Sequence, residues 1–287
     1  MSDVRATRDR ALRPELGLAG YTFTSLAHTL HLTLRRRRVL LAAAVVMLPV
    51  VVPLAVAYFS RQEFSADGAL VFARLMEQLY LRVLAPLLAL FFAALLVGEE
   101  VENQTIGYVL VRPIPRAAWI IGRYVAFFIV AGALLGASMV LSFTTCLPLA
   151  NWNLGWPEAE LLLTYLGIGL LALTAYGAVS IWLGAVFKRP IIYGVIVFFG
   201  WQNLVVQVPG LVDFLTIHKY VSELFPALVT QRNDPAAQAL LDAQKAVISV
   251  GQQQAVAVLV GVVLVFVALT IYSVRRREYA TASAAGQ

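Results

Sequence analysis

The sequence has few charged residues and only one cysteine. Charged residues make up 13% of the 287 residues, whereas a soluble domain usually carries about 25%. Hydrophobic residues make up 60%, so we predict an integral membrane protein. The single cysteine, Cys146, excludes an internal disulfide framework, and we expect it to be a small apolar packing residue.

Motifs for independent chemistry are also missing. The sequence contains no H-E-x-x-H, no G-x-S-x-G and no phosphate-binding loop of the form G-x-x-x-x-G-K-[ST]. We therefore expect neither catalytic residues nor ATP hydrolysis by this chain. His28 and His31 have no third ligand nearby and His218 stands alone, so we predict no bound metal.

Acids are absent from the centres of the apolar runs. Proton- or sodium-coupled carriers usually keep such residues at mid-membrane, so ion coupling is disfavoured. The basic residues are mostly arginines that lie beside apolar runs, where they set topology. Despite the formal net charge of +6, we predict no nucleic-acid surface.

Six apolar runs are long enough to cross a bilayer, which takes about 20 helical residues. They cover residues 39–59, 78–96, 124–147, 161–187, 191–208 and 255–274. With the amino terminus inside, the basic residues left outside are Arg61, Arg74, Arg82, Lys219, Arg232 and Lys245. The positive-inside rule then places both termini in the cytoplasm. We predict an all-α, polytopic protein of the inner (cytoplasmic) membrane with six transmembrane helices.

The remaining segments complete the predicted organisation. Residues 1–20 and 275–287 are cytoplasmic tails, and the first of these is expected to be flexible. Residues 39–274 form the six-span domain, in which residues 209–254 are a long outer segment. Residues 21–38 are predicted to be an amphipathic helix at the membrane interface. The residues on its apolar face are Phe23, Leu26, Ala27, Leu30 and Leu34.

A polar loop at residues 99–123 separates the second and third runs. Its charged residues are Glu99, Glu100, Glu102, Arg112, Arg116 and Arg123. Thr105 can cap a short helix, Pro113 would end that helix, and Pro115 can open the next one. Such a helix could dock on a soluble partner, and the same residues also suit a boundary loop whose arginines set topology. The residues alone leave both interpretations open.

The polar groups at the end of the fifth run are neutral. Asn203 and Gln207 lie four residues apart and share a helix face, with Gln202 beside them. They are candidates for lining a translocation path. The alternative is hydrogen bonding between helices.

The polar loop resembles that of a known family, the ABC-2 type transporter permeases. The matching residues are Glu99, Glu100, Glu102, Thr105, Ile106, Leu110, Arg112, Pro113, Arg116, Gly122 and Arg123. Many members carry glycine where this chain has Gln104. The six-span layout with a long outer segment before the last span resembles the family as well.

The resemblance implies the membrane subunit of an ATP-driven exporter. In this family the loop is a coupling helix that receives the motion of a separate ATPase. Two such subunits, identical or paralogous, would pair with two ABC ATPase subunits that bind ATP and Mg²⁺. The implied coupling residues are Glu99, Glu100, Glu102, Thr105, Tyr108, Arg112, Pro113 and Arg116, with Lys188 and Arg189 as a second contact. Lipids, lipid-linked sugars, hydrophobic peptides and drugs are all compatible substrates.

A function of a different class stays open. The chain could be a non-transporting membrane scaffold that relays ATPase strokes to an extracytoplasmic partner protein. The long outer segment, residues 209–254, and the lack of an obvious substrate site motivate this alternative.

Overall fold

The structure is a computed structural model that describes residues 18–34, 37–59, 68–94, 96, 98, 115–147, 155–201, 216–226 and 251–276. All regular secondary structure within these ranges is helical, which confirms the predicted all-α class. The helices are α1 (Leu18–Leu34), α2 (Arg37–Phe59), α3 (Gly68–Ala94), α4 (Arg116–Cys146), α5 (Trp156–Val186), α6 (Pro190–Trp201), α7 (Ile217–Ser222) and α8 (Gln252–Arg276).

Helices α4 and α5 lie at the centre of the bundle. Helix α5 packs against α3, α4 and α8, while α4 also packs against α1 and α2. Large side chains such as Met139 and Tyr176 are fully buried between these helices. Cys146 is fully buried too, in agreement with its predicted packing role.

Among the described residues, four helices are long and apolar enough to cross a membrane, namely α3, α4, α5 and α8. Two shorter apolar stretches lie in α2, at Val39–Ala55, and in α6. Each of the six apolar runs therefore contains a described helix, which fits a polytopic helical protein. That all six segments cross the membrane stays a prediction.

Helix α3 begins at Gly68, well before the start of the second apolar run at residue 78. The sequence pattern left Glu77 in a loop, whereas the structure places Glu77 in the third turn of this helix. The helix extends because Phe72 and Met76 are fully buried and continue its apolar face toward the amino end.

A buried hydroxyl cluster joins α2, α3 and α4. The Tyr80 hydroxyl lies 2.5 Å from Ser138 Oγ and 2.7 Å from Ser142 Oγ, and Ser138 Oγ donates to the carbonyl of Val46. All four residues are fully buried. Tyr80 lies in a π-helical part of α3, Met76–Leu84. Because an apolar interior offers few other partners, these bonds favour one register of the three helices.

Helix α1 contacts α4 through its small polar side. Thr29 is 5% exposed, whereas Phe23 on the predicted apolar face is 70% exposed. Small hydroxyl side chains allow two helices to approach closely. On the apolar face, Phe23 and Ala27 are exposed, whereas Leu30 packs against the core. Contact of the exposed part with the membrane interface stays a prediction.

Part of the long outer segment is described. Thr216 Oγ1 accepts a hydrogen bond from the Lys219 backbone N–H at 3.3 Å and caps α7. Lys219 Nζ lies 3.0 Å from Glu223 Oε1 in a salt bridge. Contacts with α3, α5 and α8 hold this piece against the bundle. Residues 209–215 and 227–250 lie outside the described part of the chain.

Candidate functional site

The carboxyl-terminal half of the polar loop becomes the start of α4. The helix begins at Arg116, directly after Pro115, whose backbone is extended at φ −57° and ψ 125°. The Trp119 N–H donates to the Pro115 carbonyl at 3.1 Å and closes the first turn. Proline suits this position because it fixes φ and its missing N–H would have had no helical partner.

Arg116 holds the end of the last helix. Its Nη1 donates to the carbonyl of Arg275 at 2.8 Å and to that of Val274 at 3.3 Å. The last carbonyls of a helix lack helical partners and carry partial negative charge. A guanidinium therefore suits this place, and it connects the start of α4 to the end of α8.

Arg123 connects the same part of α4 to Leu96, two residues beyond the last residue of α3. Its Nη1 donates to the carbonyl of Leu96. The guanidinium carbon lies 4.3 Å from the ring centroid of Trp119, one turn earlier on α4. Only 9% of Arg123 is exposed. The carbonyl dipole and the face of the indole ring both stabilise the buried cation.

Helix α1 joins this region from the other side. Ser25 Oγ donates to the Trp119 carbonyl at 3.2 Å. A Cβ added at Gly122 would lie 2.7 Å from the carbonyl oxygen of Thr22, so the two backbones nearly touch. The first two turns of α4 therefore contact α1, the end of α3 and the end of α8.

The end of α3 also lies against the corner between α5 and α6. A Cβ added at Gly184 would lie 2.4 Å from the carbonyl oxygen of Ala94, and one added at Gly98 would lie 2.9 Å from Pro190 Cγ. Glycine is required at Gly184 because the nearby atom is backbone and cannot turn away. The chain therefore leaves α3 beside this corner.

The corner itself is short and cationic. Helix α5 ends at Val186, and Lys188 and Arg189 are both exposed before α6 begins at Pro190. The rings of Phe187 and Tyr193 stack across the corner with centroids 4.2 Å apart. A cavity of about 540 Å³ lies here, lined by Val186, Phe187, Lys188, Arg189, Ile192 and Tyr193.

Three of the predicted coupling residues belong to the described part of the chain. Arg116 binds α8, and Lys188 and Arg189 lie at the corner beside the end of α3. The predicted residues that lie outside the described part are Glu99, Glu100, Glu102, Thr105, Tyr108, Arg112, Pro113, Gln202, Asn203 and Gln207.

Two contacts of this site escaped the sequence interpretation. Trp119 precedes Arg123 by four residues, a spacing that brings a ring and a cation together on one helix face. That signal was present in the sequence. Ser25 had no comparable signal, because its partner, the Trp119 carbonyl, is far away in sequence.

These features define a polytopic helical membrane protein in which several helix ends meet at the start of α4. Residues 32–201 match the family described as ABC-2 family transporter protein. The chain belongs to this family, which confirms the resemblance seen in the polar loop. A search of curated proteins finds no match to this chain.

Family membership gives the chain a general role. It is a membrane-embedded permease subunit of an ABC transporter. Permeases of this family generally work with ABC ATPase partners.

Proposed function

We propose that this chain is the permease of an exporter driven by a separate ATPase, which contacts residues 99–114 and the start of α4. ATP and Mg²⁺ would bind to two ATPase subunits, and a second permease subunit, identical or paralogous, would complete the transporter. This chain would then be no enzyme and would bind no cofactor itself. Both termini would lie in the cytoplasm.

The observation that supports this proposal is the set of contacts made by the first two turns of α4. Arg116 binds the end of α8, Arg123 binds Leu96 just beyond α3, and the Trp119 carbonyl binds α1. The polar loop joins α3 directly to α4. A force applied to this loop would therefore reach three other helices through charged or polar bonds rather than through α4 alone.

The corner at Lys188 and Arg189 is the proposed second contact. Both side chains are exposed, and Gly98 packs against Pro190 at the same corner. The polar loop therefore leaves α3 next to these two cations. One ATPase surface could then contact both segments, since they start from neighbouring points on the bundle.

Substrate would leave through the apolar bundle. Gln202, Asn203 and Gln207, which follow α6 in the sequence, are proposed to line this path. Their side chains are neutral, so they would not trap a largely apolar compound. Lipids, lipid-linked sugars, hydrophobic peptides and drugs fit this description.

Charge reversal in the loop tests the coupling role. The chain is co-expressed with the ABC ATPase encoded beside it, as wild type and as Glu100→Arg and Arg112→Glu. We expect each reversal to lower the co-purified ATPase and the ATP-dependent transport at least tenfold. Glu160→Arg, an exposed reversal in the first turns of α5 and far along that helix from the corner, is the matched control and should leave both values unchanged.

Two results would contradict the proposal. Normal ATPase binding and transport in both loop variants would remove the coupling role from residues 99–114. The second result combines two observations: ATPase binding still depends on the loop, and the wild type exports no compound in vesicles. That result would favour the non-transporting scaffold that relays ATPase strokes to an extracytoplasmic partner protein.

A further inference from the structure

The cavity at the corner between α5 and α6 is open to the surroundings and combines cationic with apolar lining residues. Its volume of about 540 Å³ lies within the roughly 300–1,000 Å³ typical of small-molecule pockets. Its lining combines two cations, Lys188 and Arg189, with apolar side chains such as Val186 and Ile192. A ligand that fills it must therefore carry both a negative group and an apolar part.

The two cations are available to a ligand. Both side chains are exposed, and within the described ranges neither forms a salt bridge or a side-chain hydrogen bond. Lysine offers three donors and arginine five, and both suit phosphate oxygens. Each cation can therefore donate to a phosphate oxygen.

An exposed apolar track continues from the cavity along α6. Ile192 is 51% exposed, Tyr193 45% and Ile196 59%. This track starts within one turn of the two cations, because Pro190 begins α6 directly after Arg189. An acyl chain that starts at a phosphate held by the cations would lie along it.

We infer that this cavity binds the phosphate headgroup of an anionic phospholipid, with an acyl chain along Ile192 and Ile196. Basic pockets between transmembrane helices bind such headgroups elsewhere. An acidic protein segment would satisfy Lys188 and Arg189 but would leave the apolar track uncovered. The position between two apolar helices also favours lipid, because the bilayer supplies this ligand at high local concentration.

This inference goes beyond the proposed function and does not rest on it, because no ATPase takes part in lipid binding. The test uses the full-length chain alone, purified in a mild detergent. Phosphatidylglycerol or phosphatidylcholine is added, and native mass spectrometry counts the retained lipids. We expect the wild type to retain phosphatidylglycerol and to lose phosphatidylcholine.

Two variants locate the site. Lys188→Gln combined with Arg189→Gln should weaken phosphatidylglycerol binding about 30-fold, since each basic residue near an anionic lipid contributes about fivefold. Ile192→Trp fills the cavity and keeps both charges, so it should weaken binding as well. Arg275→Gln combined with Arg277→Gln removes the same charge elsewhere and should leave binding unchanged.

Several results would overturn the inference. Equal loss of lipid in the Arg275 and Arg277 control would mean attraction to surface charge alone. Unchanged binding in Ile192→Trp would mean that the cavity is not used. Displacement of the lipid by inorganic phosphate would indicate a simple anion site, and a change of oligomeric state in Ile192→Trp without lipid loss would indicate a second copy of the chain.

Discussion

The Tyr165 hydroxyl donates a hydrogen bond to Glu77 Oε1 at 3.0 Å and so connects α5 to α3. Tyr165 is fully buried, and Glu77 is half-buried. The Tyr165 ring centroid lies 5.9 Å from that of Phe72 and 6.3 Å from that of Phe225, which follows α7. A carboxylate within an apolar bundle is costly unless a donor meets it. The bond therefore stabilises the place where the outer segment rests on the bundle.

A double-mutant cycle would measure this bond. Tyr165→Phe and Glu77→Gln are compared singly and together by the free energy of unfolding in detergent. We expect a coupling energy of about 1 kcal/mol, within the range found for polar pairs between transmembrane helices. Tyr124→Phe is the matched control, because its hydroxyl donates to the Thr174 carbonyl instead. The changes in the free energy of unfolding caused by Tyr124→Phe and Glu77→Gln should simply add in the double variant. If the changes caused by Tyr165→Phe and Glu77→Gln also add, the predicted coupling is absent.

The contact between Arg116 and the end of α8 predicts a local effect. Arg116→Met keeps the length of the side chain and removes its donors and charge. We expect a loss of about 1 kcal/mol in the free energy of unfolding, with faster hydrogen exchange at the carboxyl end of α8. Arg275→Met is the control, since it removes equal charge and keeps the carbonyl that Arg116 binds. Unaltered exchange in Arg116→Met would show that this contact does not hold the helix end.

Two glycines of α5 predict opposite results for the same substitution. Gly184→Ala would place a Cβ 2.4 Å from the Ala94 carbonyl oxygen, so the end of α3 must move. We expect a loss of about 1–3 kcal/mol in the free energy of unfolding, as for other overpacked sites. Gly167→Ala is the control, because no atom of the described residues lies within 4 Å of its added Cβ. Alanine is the better helix former, so this variant should be neutral or more stable by up to about 1 kcal/mol.

Thermal unfolding of the purified variants in detergent would check the glycine prediction. A Gly184→Ala protein as stable as the wild type would mean that the α3 and α5 backbones are not in close contact.

Segments with strong local patterns were predictable. The apolar runs, the buried Cys146 and the helix start after Pro115 all follow from residue type or short spacing. The start of α3 was not predictable in this way. The residues before position 78 are mixed in polarity, and Glu77 and Arg74 resemble loop residues until Tyr165 from another helix provides a donor.

The face of α1 that packs on the bundle also escaped the sequence interpretation. Its periodicity identified an apolar side that includes Phe23, and apolar sides usually face a protein core. The structure buries Thr29 on the hydroxyl side and bonds Ser25 to the Trp119 carbonyl, while Leu30 on the apolar side also packs against the core. In a membrane protein an apolar face has a second favourable environment, the lipid, so periodicity alone does not choose between them.

The sequence by itself determined the class of the protein, its apolar segments and its membership in the ABC-2 family. These properties depend on hydropathy over about 20 residues and on short motifs, which need no knowledge of neighbours. The tertiary structure alone decided that Arg116 binds α8, that Arg123 binds Leu96 just beyond α3 and that Tyr165 meets Glu77. Such contacts join residues from different helices, and they form only where the packing of the whole bundle brings one donor to one acceptor.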